Sequence, residues 1–128
     1  MWIFTKYGFF SVVCAKDRKG NSDPNLLMVR ARERHHLEDL CFQFELKNRI
    51  RESKKTDYRY RIIIKKEDWL KVSKALIQDI DYPNFKSEVL SYEQGNTPYQ
   101  HALHEIWGVM YSLQENKDSL INTHEWIV

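Results

Sequence analysis

The alternation of apolar and polar positions predicts the elements of this chain. Trp2 to Thr5 and Phe9 to Cys14 are dense in aromatic and β-branched residues, which suit a half-buried pleated surface, and they read as two strands turned by KYG. The segment 16–25, KDRKGNSDPN, carries Gly20, Asn21, Pro24 and Asn25 and reads as a loop. Leu26 to Arg32 predicts a third strand and Asp57 to Lys66 a fourth. Successive side chains on a strand point to opposite faces. In the third strand this groups Leu27, Val29 and Ala31 against Met28, Arg30 and Arg32. In the fourth it groups Tyr58, Tyr60, Ile62 and Ile64 against Arg59, Arg61, Ile63 and Lys65.

The helical segments show a different period. Leu37, Leu40, Cys41 and Phe44 form one stripe within 33–47, and Trp69, Val72, Leu76 and Ile80 form another. Pro83 in DYPN disfavours helical geometry at Tyr82 and stops the second. A short helix follows with Phe85, Val89 and Tyr92 aligned, broken by QGN at 94–96. Thr97 then reads as an N-cap, with Pro98 at the first helical position and Gln100 three residues after the cap. From there Tyr99, Leu103, Ile106, Met110 and Leu113 recur in steps of four and three. The segment 48–56 is a basic connection without period, and Trp126, Ile127 and Val128 close a polar tail as a segment that docks or adds an edge strand. Strands come first and helices later, which favours an α+β fold: an antiparallel sheet of about four strands with helices packed on one face, ferredoxin-like or related. At 128 residues the chain is expected to form a single domain, 1–128.

Composition adds to this chiefly through charge. A hydrophobic fraction of 42% supports a packed core and argues against whole-chain disorder. The net charge of +2 conceals a division: residues 1–66 hold 16 Lys/Arg against 8 Asp/Glu, whereas residues 67–128 hold 4 against 10. Such asymmetry points to a polyanionic partner for the basic half, or to the halves neutralising each other within the fold or across a subunit contact. Cys14 and Cys41 each sit in an apolar context and read as buried, reduced thiols, in keeping with a cytoplasmic protein. The opening MWIFTKYGFFSVVCA lacks a basic segment ahead of its apolar run, so it reads as a hairpin rather than a secretory signal, and no membrane span is expected.

Several segments, MWIFTKYGFFSVV, VRAR, DYRYR, DYPNFK and WGVMYSLQ, together resemble a family of small bacterial proteins of about this length. The resemblance covers most of the chain outside the 16–25 loop, the 48–56 connection and the tail. It implies a bacterial or phage setting, with no activity and no site residue to carry over.

The candidate chemistry is therefore read from residue types. If the third and fourth strands are neighbours, Arg30, Arg32, Arg59 and Arg61 share a face opposite the helices, with Arg49, Arg51, Lys54 and Lys55 at the rim. The guanidinium fork suits phosphates and stacks on bases, so this face is a candidate site for RNA, ssDNA or a nucleotide. The tyrosines are expected on the other face, leaving the N-terminal hairpin as the source of aromatic groups. The competing expectation is that the arginines pair with the chain's own carboxylates, with an acidic protein partner or with a second copy in a homodimer. Lys86 falls in the first turn of its helix, where an anion bound at the helix N-terminus would meet it, and is a secondary ligand candidate.

Other sites are weaker. His101 and Glu105 share a helix face, but a third ligand must be drawn from His35, His36 or Asp81, and no metal or other cofactor is expected. Asp57, Tyr58, Asp81 and His101 are acid–base groups that no spacing links. With four glycines and neither GxSxG nor a phosphate-binding glycine loop, no reaction is indicated. An enzyme such as a metal-independent nuclease stands third, after ligand binding and protein interaction. The longest helix carries a second apolar group, Ala102, Trp107 and Tyr111, that suits either a core position or a homodimer seam.

Overall fold

A computed structural model describes residues 1–116. The expected docking of Trp126 to Val128 lies outside the described residues. The order of elements is β1 (Trp2–Thr5), β2 (Gly8–Lys16), β3 (Ser22–Ala31), α1 (Arg34–Gln43), β4 (Arg51–Glu52), β5 (Tyr60–Lys65), α2 (Lys66–Gln78), α3 (Phe85–Glu93) and α4 (Pro98–Glu115). The fold is α+β. Two compact units divide the chain, Met1–Phe85 and the part beginning at Lys86.

In the first unit the strands form a single five-stranded sheet in the order β1-β2-β3-β5-β4, with every neighbouring pair antiparallel. The arrangement is compatible with the ferredoxin-like or related expectation and does not identify it. One face is apolar and packs under helices. Phe10, Val12, Leu27, Val29, Ala31, Ile62 and Ile64 from the sheet are buried together with Leu37 and Leu40 of α1 and Trp69 and Val72 of α2. The periodicities of two and three to four residues therefore locate both sides of this core.

The N-terminal turn is tight. Thr5 Oγ1 accepts from the Tyr7 and Gly8 amides and donates to the Gly8 carbonyl. Gly8 has φ +152°, a conformation that side chains rarely tolerate, and a Cβ there would lie 2.2 Å from His36 Cγ. His36, at the start of α1, is buried, and its Nδ1 accepts from the Phe9 amide at 3.4 Å. The glycine thus lets the hairpin close directly onto α1.

Four local departures from the sequence pattern have physical causes. The hairpin between β2 and β3 is extended, so the loop shrinks from 16–25 to five residues between Lys16 and Ser22. Asp17 Oδ1 accepts from the Lys19 and Asn21 amides, and Gly20 takes φ +83°. Pro24 and Asn25 fall where the register shifts between Cys14 and Ala15, an irregularity that spares Pro24 a ladder bond it cannot donate. Cys14, at that irregularity, is exposed rather than buried. Finally, β4 pairs Arg51 with Arg61 and Glu52 with Tyr60 inside the expected connection, giving a fifth strand too short to produce a period.

Thr97 caps α4 as expected, its Oγ1 accepting from the Gln100 amide at 3.2 Å with Pro98 opening the helix. Val89, Tyr99 and Leu103 are the second unit's buried residues among those described. Beyond them the expected stripe comes to the surface, with Met110 57% and Leu113 44% exposed, and Trp107 of the second apolar group is 52% exposed. No helix among the described residues is long and apolar enough to cross a membrane.

Candidate anion-binding face

Cross-strand register builds the site on the face of the sheet opposite α1 and α2. Residues directly opposite in an antiparallel ladder share a face. Trp2 pairs with Ser11, Ser11 with Arg30, Arg30 with Arg61, and Arg61 with Arg51, so one row crosses all five strands. Phe4 and Phe9 form the neighbouring pair on the same face. Their rings stack at 4.6 Å between centroids, and Trp2 meets Phe9 edge-on at 5.8 Å. The row thus runs from aromatic at the β1 edge to cationic at β3, β5 and β4.

Tyr58 occupies this face as well, which corrects the sequence expectation. Strict alternation assigns it to the covered face with Tyr60, Ile62 and Ile64. The strand starts only at Tyr60, however, and residues 56–59 form a bend that breaks the alternation. The Tyr58 ring lies beneath two guanidinium groups, Arg30 at 4.5 Å and Arg32 at 4.3 Å from its centroid, and 6.4 Å from the Phe9 ring. Covered in this way it is only 4% exposed. The arginines and aromatics are therefore interleaved on one face, where the sequence pattern separates them.

The same bend removes Arg59 from the group. Its guanidinium pairs with Glu52 at 2.7 Å and lies 5.7 Å from the Tyr60 ring centroid. Glu52 and Tyr60 are ladder partners, and Tyr60 in turn opposes Ala31 of the covered face. Arg59 thus turns to the β4 edge. Its hydrogen bond holds the Glu52 carboxyl below the usual carboxylate range and pushes Arg59 above its own ordinary value.

The other predicted residues divide according to their partners. Arg32 donates to the Asp57 carbonyl at 3.1 Å and meets the Asp57 carboxylate at 3.5 Å, with both side chains more than half exposed. Arg61 donates to the Tyr58 carbonyl at 2.7 Å, to Thr56 Oγ1, and to Met28 Sδ at 3.4 Å. Arg30 donates to Ser11 Oγ at 2.7 Å. Among the described residues neither Arg30 nor Arg61 meets a carboxylate, and the buried Nε of each has no acceptor. Lys86 belongs to the second unit, where its ammonium stands 4.7 Å from the Trp107 ring centroid. The expected pairing with the chain's own carboxylates thus holds for Arg32 and Arg59, through acids of the 52–57 segment rather than of the acidic helices.

Among the described residues the remaining titratable groups assemble into no second site. His101 and Glu105 are both exposed. Among the described residues no group of three His, Cys, Asp or Glu side chains stands ready to hold a metal. His36 is kept neutral, its pKa lowered to about 4 by burial and secondarily by His35. Burial also pushes the Cys41 thiol up.

Fold and site together define an α+β protein with one helix-covered sheet face and one cationic, aromatic face. Comparison of the chain with protein-family models, curated proteins and solved structures finds no match. The bacterial resemblance of its segments therefore gains no support from a family.

Proposed function

We propose that the face opposite α1 and α2 holds a phosphate-bearing ligand (RNA, ssDNA or a nucleotide) through Arg30 and Arg61, with Arg32 beside them. The observation that carries this is the ladder Arg30–Arg61–Arg51, three cations directly opposite one another on adjacent strands. Like charges in that relation destabilise a sheet. A ligand bearing several negative charges offsets the repulsion and supplies acceptors to the free guanidinium donors. The function is binding, in a setting we take to be the bacterial or phage cytoplasm.

Titration of the full-length protein with labelled RNA, ssDNA and nucleotide at about 50 mM salt tests this, because phosphate contacts weaken steeply as salt rises. Micromolar binding is expected, and Arg30→Gln should weaken it by about tenfold, the loss of one charge-assisted bond. Silence across the whole panel would sink the proposal.

A second reading, a protein-interaction or homodimer module, draws support from α4, whose Trp107, Val109, Met110 and Tyr111 are exposed. A concentration-dependent dimer in light scattering, lost on Met110→Asp, would favour it.

A further inference from the structure

The aromatic and cationic parts of the face lie at opposite ends of the row. Trp2 is on β1, one edge of the sheet, and Arg51 is on β4, the other. Four strand steps separate them, about 19 Å at roughly 4.8 Å per step. A mononucleotide reaches one end only. A stacked single strand advances about 3.4 Å per nucleotide, so roughly six nucleotides reach both ends, and fewer suffice with an extended backbone.

The exposed groups differ in what they offer. Trp2 is 70% exposed, so its indole presents a free ring to a base, with Phe9 edge-on against it and Phe4 stacked on Phe9. Tyr58 offers no such platform, because Arg30 and Arg32 already cover it. Its role is to hold those two guanidinium groups over the face. A ring stacks on any unpaired base but not on one inside a duplex, and arginines follow the backbone without reading sequence.

Resting on the reading above, we infer that the ligand is a single strand of nucleic acid several nucleotides long, laid across the strands of the sheet. Its base stacks on Trp2 at the β1 edge, its phosphates meet Arg30, Arg61 and Arg51, and its sequence matters little. Tyr58 is a positioning residue for Arg30 and Arg32.

The test is an anisotropy titration of the full-length protein with labelled oligo(U) and oligo(dT) of about two, four, eight and twelve nucleotides, with a matched duplex and uridine monophosphate as competitors. Affinity should climb with length, level off near six to eight nucleotides, and be poorly competed by the monophosphate or the duplex. Trp2→Ala should weaken the octamer by about five- to 150-fold, the range for loss of one stacked base. The same change should leave the melting temperature nearly unaltered, because Trp2 is 70% exposed. Tyr58→Phe, which keeps the ring, should bind as wild type, whereas Tyr58→Leu should weaken binding and flatten its salt dependence. If the monophosphate competes as well as the octamer, or duplex binds equally, the single-strand inference falls while anion binding stands. If no oligonucleotide or nucleotide binds, the underlying reading falls too.

Discussion

The two faces of one sheet obey different rules although the same strands build both. Val29 is fully buried beside Arg30, and Phe10 is fully buried beside Ser11. On the covered face the apolar side chains of the core are accounted for by their removal from water under α1 and α2. On the opposite face the adjacent residues place arginine across from arginine, which neither burial nor solubility requires. Burial of apolar surface organises one face, whereas like charges stand in register on the other, and that contrast gives the second face its functional interest.

The contrast can be broken at the covered face first. Phe10→Ala removes a fully buried ring from the centre of the core and should cost about 4 kcal/mol in a urea unfolding titration. A cost below about 1 kcal/mol would show that this face tolerates cavities and that its packing is not what holds the sheet.

Acid gives the next largest effect. Below pH 6.5 the unfolded chain protonates His36, while the folded chain, with its pKa lowered to about 4, refuses the proton. Stability contributed by the neutral imidazole should therefore be lost as pH falls through that window, by at most about 3 kcal/mol. His36→Gln should flatten the profile between those limits.

The smallest effect belongs to the face opposite α1 and α2. Arg30→Gln removes one of two like charges in register and sacrifices a bond to Ser11, so its unfolding free energy should stay within about 1 kcal/mol of wild type. A large loss would mean that this face, too, is built for stability, and the distinction between the faces would disappear.

The covered face was the legible one. Leu27, Val29, Ala31, Ile62 and Ile64 could be assigned by alternation alone, and Thr97 and Pro98 marked the start of α4 by capping chemistry. The opposite face was legible at Arg30 and Arg61, which sit inside regular strand, and at Arg32, which directly follows β3. Tyr58 and Arg59 were misassigned because alternation is valid only while the backbone stays extended. The signal for the break was Thr56 and Asp57, turn-forming residues at the start of the run. Thr56 Oγ1 donates to the Tyr58 carbonyl at 2.8 Å and so stabilises the bend. Trp2, Phe4 and Phe9 were recognisable as strand residues, but their place beside the arginines depended on register, which a single sequence does not display.

The bonds of Arg61 to the Tyr58 carbonyl and Thr56 Oγ1 carry a consequence for natural variation. Selection on this arginine would preserve the shape of the bend whether or not a ligand ever arrives, so its persistence through evolution would be ambiguous. Arg30 shapes no backbone; it leans on Tyr58 and touches Ser11. Of the two, Arg30 is the position at which a lineage that abandoned the ligand would be free to drift.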